Sequence, residues 1–250
     1  MPPHNLLIIA GLDPSGGAGL AADVEAAAAL GVHPAPVASL VTVQDTVNVS
    51  ASESLAPELV VAQAEAVLAD MPVAAIKLGA LGTAAIGLAV ADLLARHPDI
   101  PVVCDPVLVA AGGGALAEDE LVPVYRERLF PASVLATPNR EELAALAPES
   151  GAPGLLDLGL AACLVTDGEG QGEMIVHELH RPAGIRRLEN GKRLPGSFHG
   201  TGCTLASAIA AGLARGEGLE PAIDHAAQFV RRAVDNAFKP GRGQWVPKRW

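Results

Sequence analysis

Residues 5–30 leave few folds open to this chain. Asn5 to Ala10 (NLLIIA) is an unbroken apolar run, as a strand covered on both faces of a parallel sheet requires. It passes into Gly11-Leu12-Asp13-Pro14-Ser15-Gly16-Gly17-Ala18-Gly19, then into an Ala-rich helical stretch from Leu20 to Leu30 that Gly31 closes. Strand, glycine-rich loop and helix in direct succession is how open α/β sheets build a ligand crevice at their strand C-termini. No Lys-Ser/Thr follows the glycines, so the loop is not a Walker A loop. Taken alone, it is equally an ordinary turn.

The alternation continues along the chain. Strands are predicted over Pro36–Val43, Ala74–Leu78, Val102–Cys104, Val134–Ala136 and Ala161–Val165. Helices are predicted over Pro57–Met71, Gly82–Arg96, Glu118–Leu129 and Leu219–Phe238, with another opening at Thr137-Pro138-Asn139. Between Ser150 and Gly159 only Gly154 to Leu158 is left for a helix, and Glu173–His180 and Arg186–Asn190 read as antiparallel strands. Lys239 to Trp250 reads as a basic, extended tail. No linker composition or fixed repeat divides the chain, so residues 1–250 are expected to form one α/β unit around a mostly parallel sheet.

Composition narrows the function. Half of the residues are hydrophobic but only 3% are aromatic, so the core must be built from Ala, Val, Leu and Ile, which suits helices packed closely on a sheet. A formal charge of −11 argues against a nucleic-acid partner or an anionic membrane, both of which need a basic face. Cys104, Cys163 and Cys203 are too few and too scattered for a disulfide framework or a four-ligand zinc site. His177 and His180 bracket Glu178 without the His-Glu-x-x-His spacing of a zinc helix. With neither a basic region and apolar run at the N-terminus nor an apolar stretch of bilayer length, a reducing, cytoplasmic setting is expected.

The second chemical stretch is His199-Gly200-Thr201-Gly202-Cys203-Thr204-Leu205. A glycine-permissive turn opens here onto a helix with Leu205, Ile209 and Leu213 at four-residue spacing. Its first N–H groups lack intrahelical partners, and the helix start carries partial positive charge, so the place suits a phosphate. The same field is expected to lower the pKa of Cys203 in the first turn. Read locally, the turn is also consistent with an ordinary one, and Cys203 with a small packing residue.

The stretch resembles the signature of the hydroxymethylpyrimidine/phosphomethylpyrimidine kinases of thiamine biosynthesis, a branch of the ribokinase-like group. In most of that group the turn ends in a catalytic aspartate, and in this branch a cysteine takes the place. The resemblance runs in order from Ile9 to about Ala233. It implies a three-layer α/β/α sandwich, transfer of the ATP γ-phosphoryl group to 4-amino-5-hydroxymethyl-2-methylpyrimidine and to its monophosphate, Mg²⁺ as cofactor, and a homodimer. It also implies roles. Gly200, Thr201, Gly202 and Cys203 would form the catalytic anion hole and base. Gly11, Asp13, Asp23, Gln44 and Val107 would line the pyrimidine pocket, with Gln44 bonding the aminopyrimidine edge. Asn139, Thr166 and Gly168 would meet ATP, and Asp105 and Glu142 would serve Mg²⁺, which needs only one or two carboxylates. Asn139-x-x-Glu142 is also an everyday capping box. Lys77, inside the apolar Ile76-Lys77-Leu78, is too costly to bury unpaired, so its charge must meet either a structural carboxylate or the substrate region.

The chain departs from the family in four places, most of all in Ser150 to Gly159, where a full helix is usual before the next strand. Asp45 follows Gln44 where Asn is usual, and Thr166-Asp167-Gly168-Glu169 replaces Lys-Gly-Gly-His, removing a lysine that contacts nucleotide phosphates. Ala111-Gly112-Gly113-Gly114 stands where Lys-Ser-Gly-Asp is usual, and the loose G-x-G-x-x-A of Gly112 to Ala117 lacks the context of a dinucleotide site. Lys239 and Arg242 in the basic tail are candidate replacements for the missing cation. Two alternatives follow: a pyridoxal kinase-like activity, and a catalytically weak pyrimidine-binding or sensing protein.

Overall fold

The computed structural model describes residues 3–109, 116–168, 170 and 172–250. The expectations for Ala111 to Gly114 and Glu169 fall outside them. Nine strands form one sheet among the described residues, in the order β3-β2-β1-β4-β5-β6-β7-β8-β9. They are β1 (Asn5–Leu12), β2 (His33–Gln44), β3 (Val49–Ser54), β4 (Val73–Leu78), β5 (Val102–Cys104), β6 (Leu135–Ala136), β7 (Cys163–Val165), β8 (Met174–Arg181) and β9 (Gly184–Lys192). From β2 to β7 all neighbours run parallel, while β3, β8 and β9 pair antiparallel at the two ends. The helices are α1 (Gly19–Ala29), α2 (Pro57–Asp70), α3 (Ala84–Ala95), α4 (Leu121–Val124), α5 (Arg140–Leu146), α6 (Gly151–Asp157), α7 (Thr201–Ala214) and α8 (Leu219–Asp235).

Period-two alternation in β1 explains the three layers. Leu7 and Ile9 face a core shared with α2, α3 and α6, whereas Leu6, Ile8 and Ala10 face one shared with α1, α7 and α8. All five are fully buried, so the run reads as continuously apolar. The small residues of α7 (Ala206, Ala208, Ala210, Ala211) let that helix lie close on the sheet. Because β1 is flanked by β2 on one side and β4 on the other, the chain reverses its direction of winding there, and the C-terminal ends of β1 and β4 splay into a crevice.

Two expectations need correction. The helix expected over Glu118–Leu129 holds only one α-helical turn, α4, before it widens into a π-helical turn over Tyr125–Leu129, where Phe130 N–H donates to Tyr125 O. The helix expected over Gly154–Leu158 starts three residues earlier as α6. The tail after α8 is extended, as expected, and what its sequence did not show is that it is tied down: Trp245 N–H donates to Ser197 O, His199 N–H to Trp245 O, and Lys248 N–H to Ala233 O. No helix among the described residues is long and apolar enough to cross a membrane.

Candidate active site

A cavity of about 560 Å³ opens at the C-terminal edge of the sheet, over the β1/β4 reversal. The loop after β1, the N-terminus of α7 and the ends of β4 and β5 bound it. Its polar end is a short chain of bonds. The Asp13 carboxylate accepts Ser15 N–H at 2.8 Å and Ala18 N–H at 2.9 Å, and lies 2.8 Å from His199 Nε2. Burial alone would raise Asp13, but the hydrogen bonds from His199 and Ser15 outweigh it and hold the carboxyl below its usual value. An ionised carboxylate only accepts, which assigns the imidazole proton to Nε2. Gln44 Nε2 lies 2.9 Å from the same Nε2, where two N–H donors face each other and make no hydrogen bond, and Thr42 Oγ1 lies 3.2 Å from Gln44 Oε1.

Directly after His199 comes the start of α7. Gly200 takes the left-handed conformation at φ 79° and offers no side-chain cap, so the first N–H groups of the helix depend on a ligand or water. A Cβ on Gly200 would collide with Gly17 O, and one on Gly17 would collide with the His199 ring. Both glycines are therefore required for the two loops to nest.

Beneath the helix start lies Lys77, with no exposed surface. Alternation along β4 turns it to the α1/α7 side, as it does Ala75. Its ammonium donates to Asp23 at 2.8 and 2.9 Å and lies 3.9 Å from Asp105 Oδ2. Burial would lower Lys77, but the Asp23 carboxylate, with Asp105 adding to it, overcomes this and raises it above its usual value. Burial raises Asp105, with Lys77 opposing. Its Oδ1 accepts from Thr137 at 3.0 Å, whereas Oδ2 is buried and has no hydrogen-bond partner among the described residues.

Gly11, Asp13, Gln44, Asp105, Val107, Asn139, Glu142, Thr166, Gly168 and the Gly200–Cys203 turn all line this one cavity. Asp23 does not. It is fully buried on α1, accepts from Lys77 and from Ser207 Oγ at 2.7 Å, and braces the cavity floor instead of its wall. Cys203 also departs from expectation: burial pushes its thiol up to about 12, Lys77 opposing and the Asp105 and Asp23 carboxylates adding to the rise. The helix-start field does not overcome that desolvation, so the resting group is a neutral thiol. Asn139 and Glu142 form the capping box of α5, with Glu142 N–H donating to Asn139 Oδ1 at 2.8 Å and Asn139 N–H to Glu142 Oε2 at 2.9 Å. Glu142 thus caps its helix and borders the cavity at once.

A second cavity of about 360 Å³ adjoins the first and shares Thr166, Gly168, Thr201 and Gly202 with it. Ile175, Leu205 and Val230 give it apolar walls. The cation at this junction is Arg193, which sequence reasoning missed. Its guanidinium binds Gly168 O at 2.6 Å, Gly172 O at 3.0 Å, and Asp167 through its carbonyl at 2.9 Å and Oδ2 at 3.0 Å. Lys239 and Arg242 line neither cavity.

An α/β/α sandwich whose sheet edge carries an anion-binding helix start, a buried lysine–carboxylate cluster and paired cavities defines a phosphotransferase of the ribokinase-like class. Comparisons with known proteins make this specific. The family model described as phosphomethylpyrimidine kinase matches residues 13–248. The chain is 37% identical over 248 residues to a hydroxymethylpyrimidine/phosphomethylpyrimidine kinase of Rhizobium meliloti, covering 95% of this chain and 93% of that one. Among solved structures, an ADP complex of Bacillus subtilis pyridoxal kinase superposes with a TM-score of 0.90 at 27% identity, over 99% of this chain and 97% of that one. A phosphomethylpyrimidine kinase of Clostridium difficile gives 0.80 at 28% identity, over 92% and 99%. The chain belongs to the phosphomethylpyrimidine kinase family, and is a kinase.

Proposed function

We propose that this chain, acting as one catalytic unit in a reducing cytoplasmic setting, phosphorylates 4-amino-5-hydroxymethyl-2-methylpyrimidine and then its monophosphate with ATP, as a step of thiamine biosynthesis. The observation that carries the reading is one cavity that sets an Asp13–His199–Gln44 cluster, suited to a base with donors and acceptors, beside an uncapped helix start suited to phosphate. Their juxtaposition suits the chemistry, since phosphoryl transfer is mostly positioning and charge neutralisation.

In this reading the pyrimidine lies between Gly11, Val107 and Gln44, its hydroxymethyl toward Cys203. ATP enters from the adjoining cavity, its base against Ile175, Leu205 and Val230 and its phosphates passing Asn139, Thr166 and Gly168 to the α7 N–H groups. Those N–H groups and the Lys77 ammonium stabilise charge on the transferred group. Because a neutral thiol cannot take a second proton, Cys203 acts as a relay: Sγ takes the hydroxymethyl proton late in the transfer while passing its own proton to the neighbouring Asp105 carboxylate. Asp105 Oδ2, which accepts no hydrogen bond among the described residues and has Lys77 Nζ at 3.9 Å, can still meet a hydrated divalent cation, and Asp105 with Glu142 would hold Mg²⁺, which would supply charge screening of the phosphates. A second copy of the chain as partner follows from the family resemblance and is checked by sedimentation.

Pyridoxal phosphorylation is the second reading, favoured by the TM-score of 0.90 to the B. subtilis pyridoxal kinase. One experiment tests both: ATP consumption with hydroxymethylpyrimidine, its monophosphate and pyridoxal as separate acceptors. Turnover of the two pyrimidines at higher kcat/KM than pyridoxal is expected, and the reverse order overturns the proposal. Stabilisation by the pyrimidine, with neither turnover nor a thermal shift by Mg-ATP, would leave a sensing protein instead.

A further inference from the structure

Arg249 has the sequence context of a solvated cation, in a Pro-Lys-Arg-Trp stretch, yet its side chain has no exposed surface. Burying a guanidinium is tolerated only when its donors are met. Here they are met from the two loops that frame the cavity. Nη2 donates to Gly17 O at 2.6 Å, and Nη1 reaches Gly16 O at 3.4 Å and Glu25 Oε2 at 3.0 Å. Nε donates to Thr204 Oγ1 at 2.8 Å, and that hydroxyl donates in turn to Gly200 O at 2.6 Å.

One rigid fork thus ties the β1–α1 loop to the first turn of α7. On the cavity side of the same seam, His199 joins the two segments through Asp13. Arg249 closes the seam from behind and lines neither cavity. Its own position is fixed by the Trp245 pairing with Ser197 and His199, the Lys248 bond to Ala233, and the edge-to-face contact of Trp250 with Phe238 at 5.6 Å.

We infer that Arg249 is a positioning residue: through Gly17 O and Thr204 it fixes the spacing between the loop that holds the acceptor and the helix start that holds the transferred phosphate. The inference rests on the kinase reading above. The acceptor ring is held outside α7 and only its hydroxymethyl approaches Cys203, whereas the phosphates bind at the α7 start. Loosening the seam therefore leaves single-ligand binding nearly intact and lowers the rate at which two bound ligands meet in line.

The test uses the full chain with Arg249→Gln and Arg249→Lys. For Arg249→Gln, kcat with hydroxymethylpyrimidine and ATP is expected to fall at least tenfold. Affinities for the pyrimidine alone and for ADP alone should stay within threefold, and amide exchange at residues 16–19 and 201–204 should accelerate. Arg249→Lys, which keeps the charge without the fork, should fall between Gln and wild type. A folded Gln variant with kcat within twofold of wild type overturns the inference, as does a rate loss equal to the fraction unfolded. If the Gln variant does not fold, the same split between kcat and single-ligand affinity in the Lys variant decides. If the wild type phosphorylates no pyrimidine, the kinase reading fails on its own; unchanged exchange in the two segments of the variants would then overturn the strut separately.

Discussion

Lys77 Nζ sits 2.8 Å from Asp23 Oδ2 and 3.9 Å from Asp105 Oδ2, so one fully buried cation joins a structural carboxylate to one on the cavity wall. Removing one partner of such a pair strands the other charge. Asp23→Asn is expected to cost about 3–5 kcal/mol in urea unfolding. The double variant Lys77→Met/Asp23→Leu should recover much of that stability while leaving phosphoryl transfer severely impaired. Recovery of both would show that Lys77 is purely structural.

Cys203 should behave as an unreactive thiol in the free protein. Its pKa is raised from 9.0 to about 12, so the thiolate fraction at pH 8 falls by roughly a thousandfold, and alkylation by iodoacetamide should slow to match. Cys203→Ala should still fold and should lose about 10²- to 10⁴-fold in kcat if Sγ takes the alcohol proton. Rapid alkylation at pH 7, or a variant with most of its activity, would contradict this account.

Gln44 lines the first cavity and not the adjoining one, and its side-chain nitrogen lies 2.9 Å from the His199 ring. Gln44→Leu is expected to weaken pyrimidine binding by about 1–3 kcal/mol, because a polar ligand edge is left unpaired. Titration calorimetry should show ADP affinity almost unchanged. Equal losses for both ligands would put Gln44 at the wrong end of the crevice.

His177 carries a pH dependence of known sign. Burial lowers it from 6.5 to about 4, with the Asp167 charge opposing and the Arg193 charge reinforcing. Its neutral Nδ1 accepts Asp167 N–H at 3.1 Å. The unfolded chain therefore binds this proton first, so the contribution is complete above pH 6.5 and is lost as pH falls toward 4. It amounts to about 3 kcal/mol across that window. His177→Asn keeps an acceptor and cannot titrate, so its stability should fall less steeply between pH 6.5 and 4.5. Parallel curves for the two proteins would rule the assignment out.

Local periodicity made most of the fold legible. β1 could be read because both faces of its run are buried, and α7 because its glycine turn and four-residue spacing lie within one short stretch. β3 left no such mark: VSASES is a largely exposed edge strand with no apolar alternation, so nothing in its own residues distinguishes it from a loop. The cavity residues could be named because each follows a strand end or opens a helix, where the fold class places ligands.

What remained hidden depends on pairs far apart in the chain. Asp23 meets Lys77 across 54 positions and Ser207 across 184, His199 meets Asp13 across 186, and Arg249 meets Gly17 across 232. No local pattern encodes such a meeting, because a carboxylate on a helix and a cation in a tail look alike whether solvated or buried. The same holds for the Cys203 thiol. Its sequence placed it in a field that favours the thiolate, while packing left it half-buried beside two carboxylates and desolvation set the opposite sign. Short-range spacing thus determined which elements form and which residues reach the crevice. Tertiary packing decided the partners and protonation of those residues, because desolvation and long-range pairing exist only once the chain has closed on itself.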